Sequence, residues 1–350
     1  MRPIVPLNPG ILVADHRVLA VIGSGSFGIT YLATAPPSGA IVALKEFAPL
    51  WCAKRAADAV RIEPTEEWQR QTLEDGIERF LEEAAMLAPI EHPNIVRVER
   101  AVKANGTVYM IMAHVVGGTL SDRLRATTRL PGEAFVYGVH DGVRAGVQAL
   151  HERGLVHRDI RAPNVLLAAD DTPVLADFSL ARAARGSRRP SDPFPHPVNT
   201  GPHTSPYLGL PETPSVDTYG LAALLYNVMT GRAAPRFGER LLMDPLVPLD
   251  WRLRRWFDRR LLAAVDAALN CDAADLPQSL EEWNRWTTGS AAPGPRDPPE
   301  RAVPADAAER PPYRFITSTS SRTVIHPPWP PPGELTVDPP PLPLRPGDLT

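Results

Sequence analysis

The sequence predicts an α+β protein of two lobes, a small sheet-rich lobe carrying one main helix and a larger helical lobe after it. Three observations carry this reading. Apolar residues alternate through Val18–Ile22, Ile29–Ala33 and Ala40–Phe47, the period-2 pattern of half-buried strands. Helical spacing replaces it at Ile77, Phe80, Leu81, Ala84, Leu87 and Ala88, which define one buried face. Beyond residue 289 the composition changes: Ser290–Thr350 holds 17 of the chain's 41 prolines. At that density backbone donors are missing and neither helix nor sheet ladders can form, so this stretch packs no core.

Taken in order, residues 1–14 form an N-terminal extension. Met1–Gly10 is Pro-rich and lacks the apolar core of a secretory signal. The three strands follow as a meander, with a Gly-rich turn joining the first two. A polar insert, Ala48–Gln71, leads to the helix that carries Glu83. Val96–Ala101 and Val108–Met112 resume the sheet across the hairpin-like Ala104-Asn105-Gly106. After Gly117-Gly118, candidate helices lie at Leu120–Leu124, Ala134–Arg153, Val216–Thr230 and Leu261–Leu269. The expected organisation is therefore one folded domain over 15–288, split into lobes at 15–113 and 114–288, with a disordered Pro-rich tail over 289–350. No internal repeat is visible.

Bulk properties narrow the function classes. A net charge of −3, with Lys and Arg scattered, asks for neither nucleic acid nor an anionic membrane. The longest apolar run, Leu221–Tyr226, is far shorter than the roughly 18 residues of a membrane span. Two cysteines, Cys52 and Cys271, make no disulfide framework and suit a reducing compartment. The expected location is the cytoplasm.

The chemistry lies in an ordered series of sites. Gly23-Ser24-Gly25-Ser26-Phe27-Gly28 joins two strands, so it differs from the strand-to-helix turn of a dinucleotide site. Glycines let backbone amides approach the oxygens of a triphosphate, and Phe27 at the tip would shield them from water. Lys45 ends an apolar strand, and a half-buried lysine there needs a partner. Glu83 fits that role, with Glu82 as competitor. His157-Arg158-Asp159 and Asn164 are followed, 18 residues after Asp159, by Asp177-Phe178. Asp and Asn oxygens at these positions suit a hard cation such as Mg2+. A polar surface loop would explain each motif alone but not the order of all of them. Together they are the parts needed to bind ATP with Mg2+ and move its γ-phosphoryl group.

Residues 15–288 resemble the eukaryotic-type Ser/Thr protein kinases found in bacteria. The resemblance rests on the motifs above and on Gly28-Ile29-Thr30-Tyr31-Leu32-Ala33, Lys45-Glu46-Phe47, Ala104–Met110, Asp244-Pro245-Leu246 and Pro277-Gln278-Ser279. It implies a bilobal fold with ATP in the cleft. Asp159 would orient the acceptor hydroxyl, Arg161 would face the γ-phosphate, and Asn164 and Asp177 would hold Mg2+. Lys45, held by Glu83, would meet the α- and β-phosphates. Ile22, Gly23, Gly25, Ser26, Phe27, Gly28 and Thr30 would form the loop over the nucleotide. Ala43 and Leu166 would sandwich the adenine, with Met112 at the back of the pocket. His157 and Phe178 would join Leu87 in an apolar stack between the lobes. Protein substrates are implied, autophosphorylation among the expected reactions.

Departures from the family pattern mark the alternatives. Ser179 replaces the glycine usual after Asp-Phe, Ala113-His114 begins the hinge, and Arg161 replaces a lysine, which keeps a tyrosine acceptor open. Leu210-Pro211-Glu212 precedes Asp217 by a short gap, and Leu276 stands where an arginine normally pairs with that glutamate. These motivate a nucleotide-binding pseudokinase scaffold as the second reading. Small-molecule phosphotransfer is a third, opposed by the strings of the first lobe. Thr200, Thr204 and Ser205 are either phosphorylation sites that order a loop through Arg158 or plain turn residues. Thr317–Ser321 and the tail prolines offer a surface for phosphothreonine- or proline-reading partner domains, against the plainer reading of a spacer.

Overall fold

A computed structural model describes residues 3–178, 182–183, 213–235, 246–269 and 277–289. The expectations that rest on Ser179, Thr200, Thr204, Ser205, Leu210–Glu212, Asp244-Pro245, Cys271, Leu276 and the tail from Ser290 lie outside these residues.

The first lobe is built on a six-stranded antiparallel sheet. Its strands are β1 (Leu12–Val13), β2 (His16–Ser24), β3 (Gly28–Ala35), β4 (Ala40–Phe47), β7 (Val98–Ala104) and β8 (Thr107–Ala113). They lie in the order β1-β2-β3-β4-β8-β7. Gly106, at φ 71°, and Asn105, at φ 53°, supply the left-handed residues that a tight β7–β8 hairpin requires. The stretch before β2 contributes Ile4, Leu7 and Val13 to the core, and the Leu7 amide donates to the Tyr31 hydroxyl at 3.1 Å.

The polar insert is more structured than its composition suggests. It holds a hairpin of β5 (Ala53–Arg55) and β6 (Ile62–Pro64), then a 3-10 turn at Glu67–Gln69. Its polar residues have specific partners, and for that reason no period-2 pattern marks them. Helix α1 (Arg70–Leu87) follows, burying Leu73, Phe80, Ala84 and Leu87 along one stripe. The Phe47 and Phe80 ring centroids lie 5.5 Å apart and tie α1 to β4.

The second lobe is helical: α2 (Leu120–Arg125), α3 (Glu133–His151), α4 (Ser215–Thr230), α5 (Leu249–Leu253), α6 (Arg259–Ala268) and α7 (Leu280–Thr288). Two short antiparallel pairs accompany these helices: β9 (Leu155–Val156) with β12 (Arg182–Ala183), and β10 (Val165–Leu167) with β11 (Pro173–Leu175). Every residue of α4 from Ser215 to Met229 is buried, so it is the central helix of this lobe, and it ends where Gly231 adopts φ 70°. The short α5 and the polar-looking α7 were not expected from the sequence. α7 is anchored by Trp283 and Trp286, and its first turn is capped by Ser279 accepting from the Glu282 amide at 3.1 Å.

Candidate active site

Strand alternation sets the site. Along β4, Ala43 and Lys45 share one face while Leu44 and Glu46 share the other. Ala43 pairs across the ladder with Met112, and Lys45 pairs with both Thr30 and Met110. The expected adenine-side residues, Ala43 and Met112, are therefore direct neighbours on the sheet. Leu166, on β10 of the second lobe, bridges to Thr119.

The glycines of the β2–β3 turn have different reasons to be glycine. A Cβ on Gly28 would overlap the Glu46 carbonyl oxygen of the adjacent strand. A Cβ on Gly25 would meet nothing within 4 Å, which leaves its backbone surface open to a ligand. The turn is closed by the Gly25 amide donating to the Gly28 carbonyl at 2.9 Å. Ile22, Gly23 and Thr30 lie on the flanking strands, Gly23 opposite Thr30, with Ser26 and Phe27 at the tip.

Lys45 Nζ stands 2.8 Å from Asp177 Oδ1 and 4.0 Å from Glu83 Oε1. Burial alone would lower its pKa, but Asp177 and Glu83, with Asp159 beyond them, outweigh that effect and hold the ammonium above its ordinary value. Helix phase decides between the two glutamates: Glu83 is buried on the inner stripe of α1, whereas Glu82 is exposed. Of its two carboxylate partners, Asp177 is the nearer.

The loop after β9 collects the remaining polar groups. Asn164 Nδ2 donates to Asp159 Oδ2 at 2.7 Å and to the Asp159 carbonyl at 2.9 Å. Arg161 Nε donates to the same Asp159 carboxylate at 3.2 Å. The Ala176 amide donates to the Asn164 carbonyl at 2.9 Å, so the segment carrying Asp177 is stitched to the segment carrying Asn164. Asp177 itself adopts φ 61° and Arg158 φ 69°, left-handed conformations that ordinary side chains resist. The His157 and Phe178 rings pack 4.9 Å apart, and Leu87 is buried in the same continuous core.

A residue whose role sequence reasoning missed holds this loop. Asp217, on α4, accepts from the Arg158 amide at 2.7 Å, the His157 amide at 2.8 Å and His151 Nε2 at 2.9 Å. The signal was a lone acidic residue at the start of an otherwise apolar helix, Val216–Met229. A second missed feature lies on the far face of β4. Glu46 is fully buried and accepts from Tyr31 at 2.8 Å, Tyr109 at 2.6 Å, and Arg55 at 2.7 and 2.6 Å. Burial, and then the Glu46 carboxylate, push both tyrosine hydroxyls far above their usual range.

The site thus gathers an ammonium, two oxygen-bearing side chains suited to a hard cation (Asn164 and Asp177), the Asp159 carboxylate bonded to Asn164, and a glycine turn with an open backbone. That donor set fits a magnesium triphosphate. A model for the protein kinase domain matches residues 16–239. Serine/threonine-protein kinase PknK of Mycobacterium bovis is 29% identical over 292 residues, 80% of this chain and 24% of that protein. Serine/threonine-protein kinase PknJ of Mycobacterium tuberculosis is 30% identical over 233 residues, 65% of this chain and 36% of that protein. The chain therefore spans about a quarter to a third of the length of these relatives. Among solved structures, one described as the PpkA-294 apo form matches with a TM-score of 0.70 at 29% identity, over 81% of this chain and 99% of that one. The domain match extends over more than half of the sequence and includes the glycine turn, Lys45, Glu83, Asp159, Asn164, Asp177 and Asp217, and by it this chain belongs to the protein kinase domain family.

Proposed function

We propose that this chain is an ATP-dependent protein serine/threonine kinase, with 15–288 as its catalytic domain and itself among its substrates. The observation that carries the reading is the convergence of Lys45 and Asp177, 2.8 Å apart, with the Asn164–Asp159 pair stitched to the same segment. Asp159 orients the acceptor hydroxyl and receives its proton; its carboxylate is held by Asn164 and Arg161. Lys45 meets the α- and β-phosphates, and Glu83 keeps it on the cleft side of the sheet. Arg161 offers a planar, permanently charged donor toward the γ-phosphate. The backbone of 23–28 lies over the triphosphate, while Ala43, Leu166, Met112 and Ile22 enclose the adenine. Asn164 and Asp177 would hold Mg2+, which when bound supplies positive charge to the phosphate oxygens. Protein substrates follow from the family. Phosphothreonine- or proline-reading partners remain a proposal for the stretch beyond 289. A cytoplasmic setting agrees with Cys52, a buried free thiol.

The test is incubation of the purified chain with γ-labelled ATP and Mg2+ beside Asp159→Ala, with labelled residues mapped by mass spectrometry. Label on Ser or Thr in the wild type alone is expected. Label on Tyr alone would overturn the acceptor assignment. Nucleotide binding without transfer would replace the kinase reading by the scaffold one.

A further inference from the structure

The insert between β4 and α1 touches both the tip of the glycine turn and the start of α1. At its start, the Ala48 amide donates to the Phe27 carbonyl and the Leu50 amide to the Ser26 carbonyl, both at 3.0 Å. The tip of the glycine turn is therefore tied to the insert by its backbone. Phe27 also packs edge-on against Trp51, with centroids 5.0 Å apart and planes at 83°. One atom group away, the Trp51 carbonyl accepts from Gln69 Nε2 at 2.8 Å. Gln69 is the residue immediately before α1, and its Oε1 accepts from the Glu66 amide at 3.1 Å, closing the capping box of the 3-10 turn. The same residue therefore meets the glycine turn through its ring and the Glu83 helix through its carbonyl.

We propose that Trp51 is a positioning residue for the triphosphate: by packing on Phe27 it holds the tip of the glycine turn in one place before nucleotide arrives. The inference rests on the kinase reading. A glycine-rich turn left free samples many conformations, and ordering it on binding weakens affinity for whatever it must cover. Two backbone hydrogen bonds and an aromatic contact remove part of that cost in advance. The contact acts only on ligands that the turn covers, and this separates it from a general structural role. Adenosine, which carries no phosphates, should not sense it.

The experiment measures, on the full chain by calorimetry with Mg2+, the affinity of a non-hydrolysable ATP analogue and of adenosine, alongside thermal unfolding. Trp51→Ala should weaken the analogue about three- to tenfold, the size of a lost aromatic pair, with adenosine unchanged. Trp51→Phe keeps a ring and should restore most of the affinity. In a Phe27→Ala background, Trp51→Ala should add little. Equal weakening of both ligands, or an unchanged analogue affinity in Trp51→Ala, overturns the inference alone. If Trp51→Ala fails to fold, Trp51→Phe against Trp51→Leu decides: equal analogue affinities in those two variants overturn it. A wild type that binds neither ligand overturns the kinase reading and this inference with it.

Discussion

Asp217→Ala offers the sharpest test of how the catalytic loop is held. Asp217 is buried and accepts three hydrogen bonds, from the amides of Arg158 and His157 and from His151 Nε2, at 2.7 to 2.9 Å. Alanine leaves the buried His157 amide and the Arg158 amide without their acceptor, each costing about 1–3 kcal/mol. Arg158 sits at φ 69°, and a strained residue of this kind persists only while its surroundings over-determine it, at about 1–3 kcal/mol. Part of the loss is recovered as the loop relaxes, so a net destabilisation of about 3–5 kcal/mol is expected, out of a total of roughly 5–15. Asp217→Asn keeps one oxygen but turns an NH2 toward an amide donor, and should fall between wild type and alanine. Urea unfolding followed by circular dichroism reads the stability. Phosphoryl transfer, measured where each variant is still folded, reads the displacement of Asp159, the residue directly after the anchored Arg158. A loss below about 1 kcal/mol with unchanged transfer would refute the anchoring argument.

Other substitutions probe the remaining links. Lys45→Met removes an ammonium that lies between Asp177 and Glu83, and transfer, measured where the variant is folded, should fall by about 10²–10³. Glu46→Ala leaves the Arg55 guanidinium, whose side chain is only 4% exposed, without its counter-charge, and should cost about 3–5 kcal/mol in urea unfolding. Gly28→Ala places a Cβ on the Glu46 carbonyl and should destabilise by about 1–3 kcal/mol, whereas Gly25→Ala should melt like wild type while binding the ATP analogue less well. Burial raises the Cys52 thiol from 9.0 to about 11. Because the folded-state value is the higher one, the thiol's contribution to stability is complete below pH 9 and is lost as pH rises through 11. Cys52→Ala should therefore flatten the alkaline arm of the stability profile relative to wild type, and an identical arm would refute the burial argument.

What the sequence made legible follows from periodicity. Strands β2–β4 and helices α1, α3 and α4 each bury a face or a whole surface, so apolar spacing announces them. The site was legible because its groups sit at fixed offsets from one another: Lys45 at the end of a strand, Glu83 on the inner stripe of α1, Asp159 and Asn164 five residues apart in the loop after β9. The insert escaped because it folds through polar partners, Arg55 with Glu46 and Gln69 with the Trp51 carbonyl, and these leave no period. Helix α7 escaped for a different reason. Its buried residues are Leu280, Trp283 and Trp286 with Thr287, too few apolar positions for a stripe, although Ser279 three residues before Glu282 was a readable cap. Asp217 was visible as an acidic residue in an apolar helix, but its partners are backbone amides almost sixty residues earlier, and no local pattern encodes that.

Strand β4 shows how the two buried charge sets work on each other. Lys45 and Glu46 are consecutive, so the pleat sends them to opposite faces. One face meets Asp177 and Glu83, the other Arg55, Tyr31 and Tyr109. Sliding β4 by one residue against β3 and β8 would exchange those faces. Glu46 would then stand against two carboxylates and Lys45 against a guanidinium, each pair of like charges in a site shielded from water. Apolar residues alone pin such a register weakly here, because Val42, Ala43 and Leu44 are all buried and suit either face. The Glu46–Arg55 pair, remote from the cleft, thereby helps keep Lys45 aimed into it. In this strand the polar network behind the sheet and the lysine in front of it constitute a single specification of position.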